Sequence, residues 1–207
     1  MKKSCWLTIP ILALALPAPS FAGSVNLSNS LGMLTSSSGG LTLSGSVLTM
    51  VTGLNGLGQI IGDDLGSVNF TTEGLSGGSL QKGGVFSAGG SLTIATNGTG
   101  GLPNGQIFAG TFSGLDNWML VTLANKTHNY TLSGNLSGAL ENVPVSGVLV
   151  QITVNTGTGF FNGSSMVSSG DISFTTTSGV VPEPGSLGLV GTGLISLAGV
   201  VRCKWKA

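Results

Sequence analysis

His128 is the chain's one histidine, so any metal cluster or proton relay that needs two imidazoles is excluded at the outset. A Ser-His-Asp arrangement would have to bring a serine and Asp116 or Asp171 to it. His128, however, falls on the apolar side of an alternating stretch beside Tyr130, and reads as a packed or edge-strand histidine. Asp63-Asp64, flanked by Gly62 and Gly66, offers oxygens of the kind calcium takes. The spacing matches no calcium loop, and the pair reads as a solvated turn. Glycoside hydrolysis needs two opposed carboxylates, for which Glu73, Asp116, Glu141 and Asp171 are the available residues, with nothing marking a pair. The abundant glycines form no phosphate loop: no Gly-Lys-Ser or Gly-Lys-Thr occurs, and Gly83-Gly84 leads into a strand. Asn-x-Ser/Thr triplets such as Asn69-Phe70-Thr71 and Asn125-Lys126-Thr127 are what a chain rich in these residues carries by composition. No catalytic, metal or cofactor site is expected.

The elements that would position such residues are strands. Helical periodicity is nearly absent between Gly23 and Gly179, while several stretches alternate with period two. Phe86, Ala88, Leu92 and Ile94 share one face. So do His128, Tyr130, Leu132 and Leu136, opposed by Asn129, Thr131, Ser133 and Asn135. Val148, Val150, Ile152 and Val154 form a third row, and Ile172 with Phe174 a fourth. Residues 41–51, 68–72, 107–112 and 118–123 are further strand candidates. Asn97-Gly98, Asn104-Gly105 and Asn162-Gly163 supply the positive backbone angles of tight turns. Eight or nine short antiparallel strands predict an all-β domain, a β-sandwich of jelly-roll or immunoglobulin-like type. Leu-Ser-Gly recurs at Leu43, Leu75, Leu132 and Leu136, but a β-solenoid needs a fixed period, and these tripeptides read as strand-to-turn transitions. Residues 23–40, rich in Ser, Asn and Gly, read in part as a loose N-terminal arm, and residues 175–181 as a linker.

Composition narrows the partners. Of 207 residues, 7% are charged and 41% hydrophobic, which is not the high-charge, low-hydrophobicity signature of a disordered chain. Between Gly23 and Gly179 two bases, Lys82 and Lys126, stand against six acids, a net charge of −4. Such a surface cannot neutralise a phosphate backbone, so nucleic acid is not an expected partner. Cys5 and Cys203 both lie in the end segments, leaving the middle to fold without a disulfide. A domain of about 150 residues can bury enough apolar surface to do so.

The two ends carry targeting information. Lys2 and Lys3 precede an apolar run from Trp6 to Leu16, and in Ser20-Phe21-Ala22 the small residues Ser20 and Ala22 stand where signal peptidase reads. Residues 1–22 are thus a signal peptide, cut between Ala22 and Gly23. At the far end Gly185 to Val201 is free of charge, and Arg202, Lys204 and Lys206 follow at once. Seventeen residues rising about 1.5 Å each suffice for a short spanning helix. Gly188, Gly191, Gly193 and Gly199 suit a membrane helix better than a soluble one. The basic end should stay cytoplasmic, placing the ectodomain, residues 23–180, outside the inner membrane. Ahead of the helix, Val181-Pro182-Glu183-Pro184 is held extended by its prolines, as a protease cleft requires.

In this order, the motif at 181–184, the apolar helix at 185–201 and the basic end at 202–207 resemble the PEP-CTERM sorting signal of Gram-negative bacteria. The resemblance covers residues 181–207, and the end Arg202-Cys203-Lys204-Trp205-Lys206 is less purely basic than the type pattern. It implies that an integral-membrane exosortase recognises Pro182, Glu183 and Pro184 as substrate residues, cleaves near them, and releases the protein or transfers it to the cell surface. It also implies an association with exopolysaccharide.

Three function classes follow. The first is a non-enzymatic cell-surface or matrix protein associated with envelope or extracellular polysaccharide. The second is a carbohydrate-binding or adhesion module, with Trp118, Tyr130, Phe160 and Phe161 the aromatic candidates. A secreted hydrolase ranks last. An exposed Trp118, Phe160 or Phe161 in a concave patch separates the second from the first.

Overall fold

The structure, a computed structural model, describes residues 24–37 and 39–175. The expected signal peptide with its Ala22–Gly23 junction and the expected C-terminal helix fall outside them. Among the described residues no helix is long and apolar enough to cross a membrane.

Thirteen strands run in the order β1 (Ser24–Ser30), β2 (Met33–Ser37), β3 (Gly40–Thr52), β4 (Gln59–Ile61), β5 (Gly66–Thr71), β6 (Leu75–Ser79), β7 (Gly83–Phe86), β8 (Gly89–Asn97), β9 (Asn104–Phe112), β10 (Asp116–Thr122), β11 (His128–Leu140), β12 (Val143–Asn155) and β13 (Ser164–Thr175). Every pairing is antiparallel, as alternation predicts. The two-sheet sandwich is not what the pairing builds. β1, β3, β5, β8, β9, β11, β12 and β13 pair in turn, and β13 returns to β1, so eight strands close into a barrel. Closure leaves the ring no free edge. Period two reports that one face of each strand is buried, which is equally true of a sandwich and a barrel. Which strand meets which is long-range information.

Other local expectations shift as well. The strands are more numerous than eight or nine, and β3, β11 and β12 run 13 residues each. The supposed N-terminal arm is β1 and β2, consecutive pieces that both lie between β3 and β13. Val25, Leu27 and Leu34 point inward from it and are buried. Ala88 is exposed in the connection between β7 and β8, where one continuous strand was expected. Asn104-Gly105 opens β9, and the turn precedes it.

The Leu-Ser-Gly tripeptides sit inside strands at three of their four places and open β6 at the fourth. Two of their glycines, Gly134 and Gly138, permit close approach rather than a turn. A side chain at Gly138 would press into the Ala109 carbonyl and the Gly110 backbone of β9. Gly138→Ala should therefore destabilise the barrel at the β9–β11 seam by about 1–3 kcal/mol. A urea midpoint equal to the wild type's would refute that.

The inward rows fill the barrel. Val148, Val150, Ile152 and Val154 of β12, Tyr130, Leu132 and Leu136 of β11, and Ile172 and Phe174 of β13 are all buried. Phe108 meets Phe174 edge-on at 5.0 Å across the interior, a favoured aromatic geometry. Outward positions are largely Ser, Thr, Asn and Gln. This polarity is the reverse of a membrane-spanning barrel, whose apolar band faces lipid.

β11 carries more than the ring. Its second half, Leu136–Leu140, pairs with β9, while its first half, His128–Ser133, pairs with β10. β10 in turn holds β7, and β7 holds β6, forming a three-stranded wing. The turn between β6 and β7 is fastened by two buried aromatics. The Trp118 indole N–H donates to the Leu80 carbonyl at 2.9 Å, and the Tyr130 hydroxyl to the Gln81 carbonyl at 2.6 Å.

Candidate functional site

The residues assigned to sorting, Val181, Pro182, Glu183 and Pro184 with Arg202, Lys204 and Lys206, lie outside the described residues, as do Ala22 and Gly23 of the signal cleavage. What the structure positions is the surface of the barrel and its wing.

On the outer face, register aligns side chains into rungs across four strands. One runs Asn117 (β10), Ser133 (β11), Gln151 (β12) and Asp171 (β13). The next takes Leu115 from the turn before β10, then Asn135, Leu149 and Ser173. Together they line an open groove of about 320 Å³. Leu115 and Leu149 supply apolar walls, 65% and 54% exposed. Asp171 accepts from the Ser28 hydroxyl at 2.7 Å, and Ser173 donates to the Asn26 side-chain carbonyl at 2.8 Å. Neighbouring rungs satisfy themselves: Thr131 bonds Thr153 at 3.2 Å, and Asn155 donates to Asn129 at 2.6 Å. In the groove the side chains of Asn117, Ser133, Asn135 and Gln151 bond no other described residue.

At the β10–β11 end of the wing, aromatic side chains are sorted by depth. Trp118 stacks on Tyr130 at 5.1 Å and meets Phe161 edge-on at 5.4 Å, all three buried. The adjacent Phe160 is 54% exposed and stacks on His128 at 4.7 Å, with the rings 10° from parallel. The loop bearing it is tied down: the Phe161 amide donates to the Tyr130 hydroxyl at 3.2 Å, and Thr156 donates to the Gly159 carbonyl at 2.6 Å. His128 Nδ1 lies 3.1 Å from the Thr122 hydroxyl. The imidazole is thus packed between Thr122 and Phe160, and no carboxylate among the described residues hydrogen-bonds it.

The carboxylates are dispersed. Glu73 accepts from the Gly90 amide at 3.3 Å, Glu141 from Asn55 at 3.0 Å, and Asp64 from the Gly66 amide at 3.1 Å in the exposed turn with Asp63. Among the described residues no three His, Cys, Asp or Glu side chains form a metal-holding group. Asp116 differs. It is 0% exposed, neither oxygen has a hydrogen-bond partner, and its carboxyl fills the space where a side chain at Gly134 would stand. Burial raises its pKa from 3.8 to about 7. No substrate reaches it there.

Sequence reasoning finds no Gly-x-Ser-x-Gly elbow and overlooks one stretch with that spacing. Gly74-Leu75-Ser76-Gly77-Gly78 has Gly-x-Ser-x-Gly spacing, but Ser76 lies on β6, its hydroxyl donating to the Val85 carbonyl at 3.0 Å, with no helix after it. A nucleophile elbow is a strand-to-helix turn. The groove was also missed, since its residues come from separate strands and meet only through register. Outward polar parity was the available signal.

Against families of known proteins, the chain matches the PEP-CTERM protein-sorting motif over residues 180–202. The match takes in the Pro-Glu-Pro motif, the apolar stretch and Arg202, and stops short of Lys204 and Lys206. Neither the curated proteins nor the solved structures compared with the chain gave a match. The chain carries a PEP-CTERM protein-sorting motif, the mark of an exported protein processed by an exosortase.

Proposed function

We propose that the protein is a non-enzymatic cell-surface or extracellular-matrix component, sorted by exosortase and associated with envelope or exopolysaccharide. Signal peptidase removes residues 1–22. The helix at 185–201 then holds the precursor in the inner membrane with the barrel in the periplasm, and exosortase acts near Pro182-Glu183-Pro184. The observation that carries the reading is the sorting motif at 180–202, placed behind a closed barrel clad in hydroxyls and amides. Such a surface hydrates without charge repulsion and offers neutral hydrogen bonds to glycan or sister chains.

Intact-mass analysis of native cell fractions, with and without the exosortase, tests it. In the presence of the enzyme the surface or matrix fraction should yield a form lacking the tail, co-fractionating with polysaccharide. The Pro182→Ala/Glu183→Ala/Pro184→Ala variant should accumulate in the membrane at precursor mass. Full-length protein in the matrix fraction of enzyme-competent cells would rule out sorting by cleavage.

A carbohydrate-binding or adhesion module is the second reading, favoured by the exposed Phe160 stacked on His128. Burial of Trp118 and Phe161 removes the other candidate platforms. The hydrolase has least support, since Asp171 is the one acid lining the groove.

A further inference from the structure

We infer that the groove across β10, β11, β12 and β13 is a binding site for an uncharged, extended glycan lying across the strands. The proposal rests on the reading of the protein as polysaccharide-associated and gives that reading a location. On two neighbouring rungs of this face, facing polar side chains bond one another across the strands, Thr131–Thr153 and Asn129–Asn155. At the groove that pattern stops, leaving the Asn117, Asn135 and Gln151 amides and the Ser133 hydroxyl without partners among the described residues. Amides present a donor and an acceptor side by side, which suits the paired hydroxyls of a sugar ring. Leu115 and Leu149, exposed beside them, offer apolar contact to its C–H face.

Spacing and charge narrow the ligand further. Adjacent strands lie about 4.8 Å apart, so four strands present polar groups over roughly 14 Å, the reach of a short oligosaccharide laid perpendicular to them. The groove's lining includes Asp171 and no base. A polyanionic glycan would meet a carboxylate with nothing to balance it, and a neutral chain meets hydrogen-bond partners alone.

The test uses the full-length protein in mild detergent, titrated by calorimetry with cellohexaose, xylohexaose, mannohexaose and the anionic hexamannuronate. At least one neutral hexamer should bind, and hexamannuronate should bind at least tenfold more weakly. Gln151→Ala and Asn117→Ala should each weaken binding by about tenfold, and Leu149→Asp should abolish it. All three positions face outward, so circular dichroism and the melting midpoint should match the wild type. Phe160→Ala should leave binding within twofold. If binding is lost with Phe160→Ala and kept with Gln151→Ala, the groove is not the site, yet the glycan-associated reading survives. If no neutral hexamer binds, the groove proposal is overturned, while co-fractionation of the native protein with polysaccharide still judges the broader reading.

Discussion

Asp116→Asn should flatten the pH dependence of unfolding between about pH 4 and pH 7, the interval bounded by the carboxyl's ordinary and folded pKa values. Below pH 3.8 the group is protonated in both states and contributes no slope. As pH rises, the unfolded chain releases its proton while the folded chain keeps it, because ionisation inside the protein would strand a charge against Gly134 with no donor to meet it. Stability therefore falls through this window and levels off above about pH 7, where both states are ionised. At 1.36 kcal/mol per pKa unit the total loss is roughly 4 kcal/mol. The measurement is the urea midpoint at four pH values, wild type minus Asp116→Asn, which cancels the other titrating groups. Asp116→Leu, which removes both unpaired oxygens, should be the most stable of the three above pH 7. Parallel pH profiles for wild type and Asp116→Asn would show that the carboxyl is solvated in the folded state.

Trp118→Ala should cost about 3–5 kcal/mol, the range for emptying a buried aromatic site. The indole stacks on Tyr130, meets Phe161 edge-on and holds the β6–β7 turn through the Leu80 carbonyl, so one substitution loosens the wing and the aromatic core together. Trp118→Phe separates the contributions: it preserves apolar contact and leaves the carbonyl without its donor, a loss of about 1–3 kcal/mol. Trp118 is the one tryptophan among the described residues, so the variants are followed by circular dichroism. A Trp118→Ala protein within about 1 kcal/mol of wild type would mean that the indole does not anchor the turn.

Much of the barrel wall was legible in the sequence because burial of one strand face leaves a local trace. The Val148–Val154 and Tyr130–Leu136 rows fall inward as their alternation requires. Closure left no such trace, since β1 finds β13 and β3 from opposite sides, and nothing near Val25 or Leu27 names those partners. Composition misled at β1, where Ser24, Asn26 and Ser28 are the outward half of a strand and Asn29 turns inward to bond Ser46. The β11–β12 turn was missed for a different reason. Glu141 and Asn142 both take positive φ, 47° and 68°, in a two-residue hairpin usually signalled by Asn-Gly. The sorting motif, matched over residues 180–202, was legible because its meaning lies in contiguous residues. The groove was not, because Asn117, Ser133, Gln151 and Asp171 acquire neighbours only once four strands are in register.

The seam between the first strand and the last has a consequence for the order of events during secretion. Ser24 lies opposite Thr175, so the ring cannot be completed until nearly all of residues 24–175 have emerged during export. Joining such distant segments carries a large loop-closure entropy and slows folding. Until then Val25 and Leu27 lack their β13 neighbours, a window in which chaperones and proteases have access to the nascent wall. The sorting motif at 180–202 follows that final strand in sequence, so it emerges only when the polypeptide has all it needs to shut.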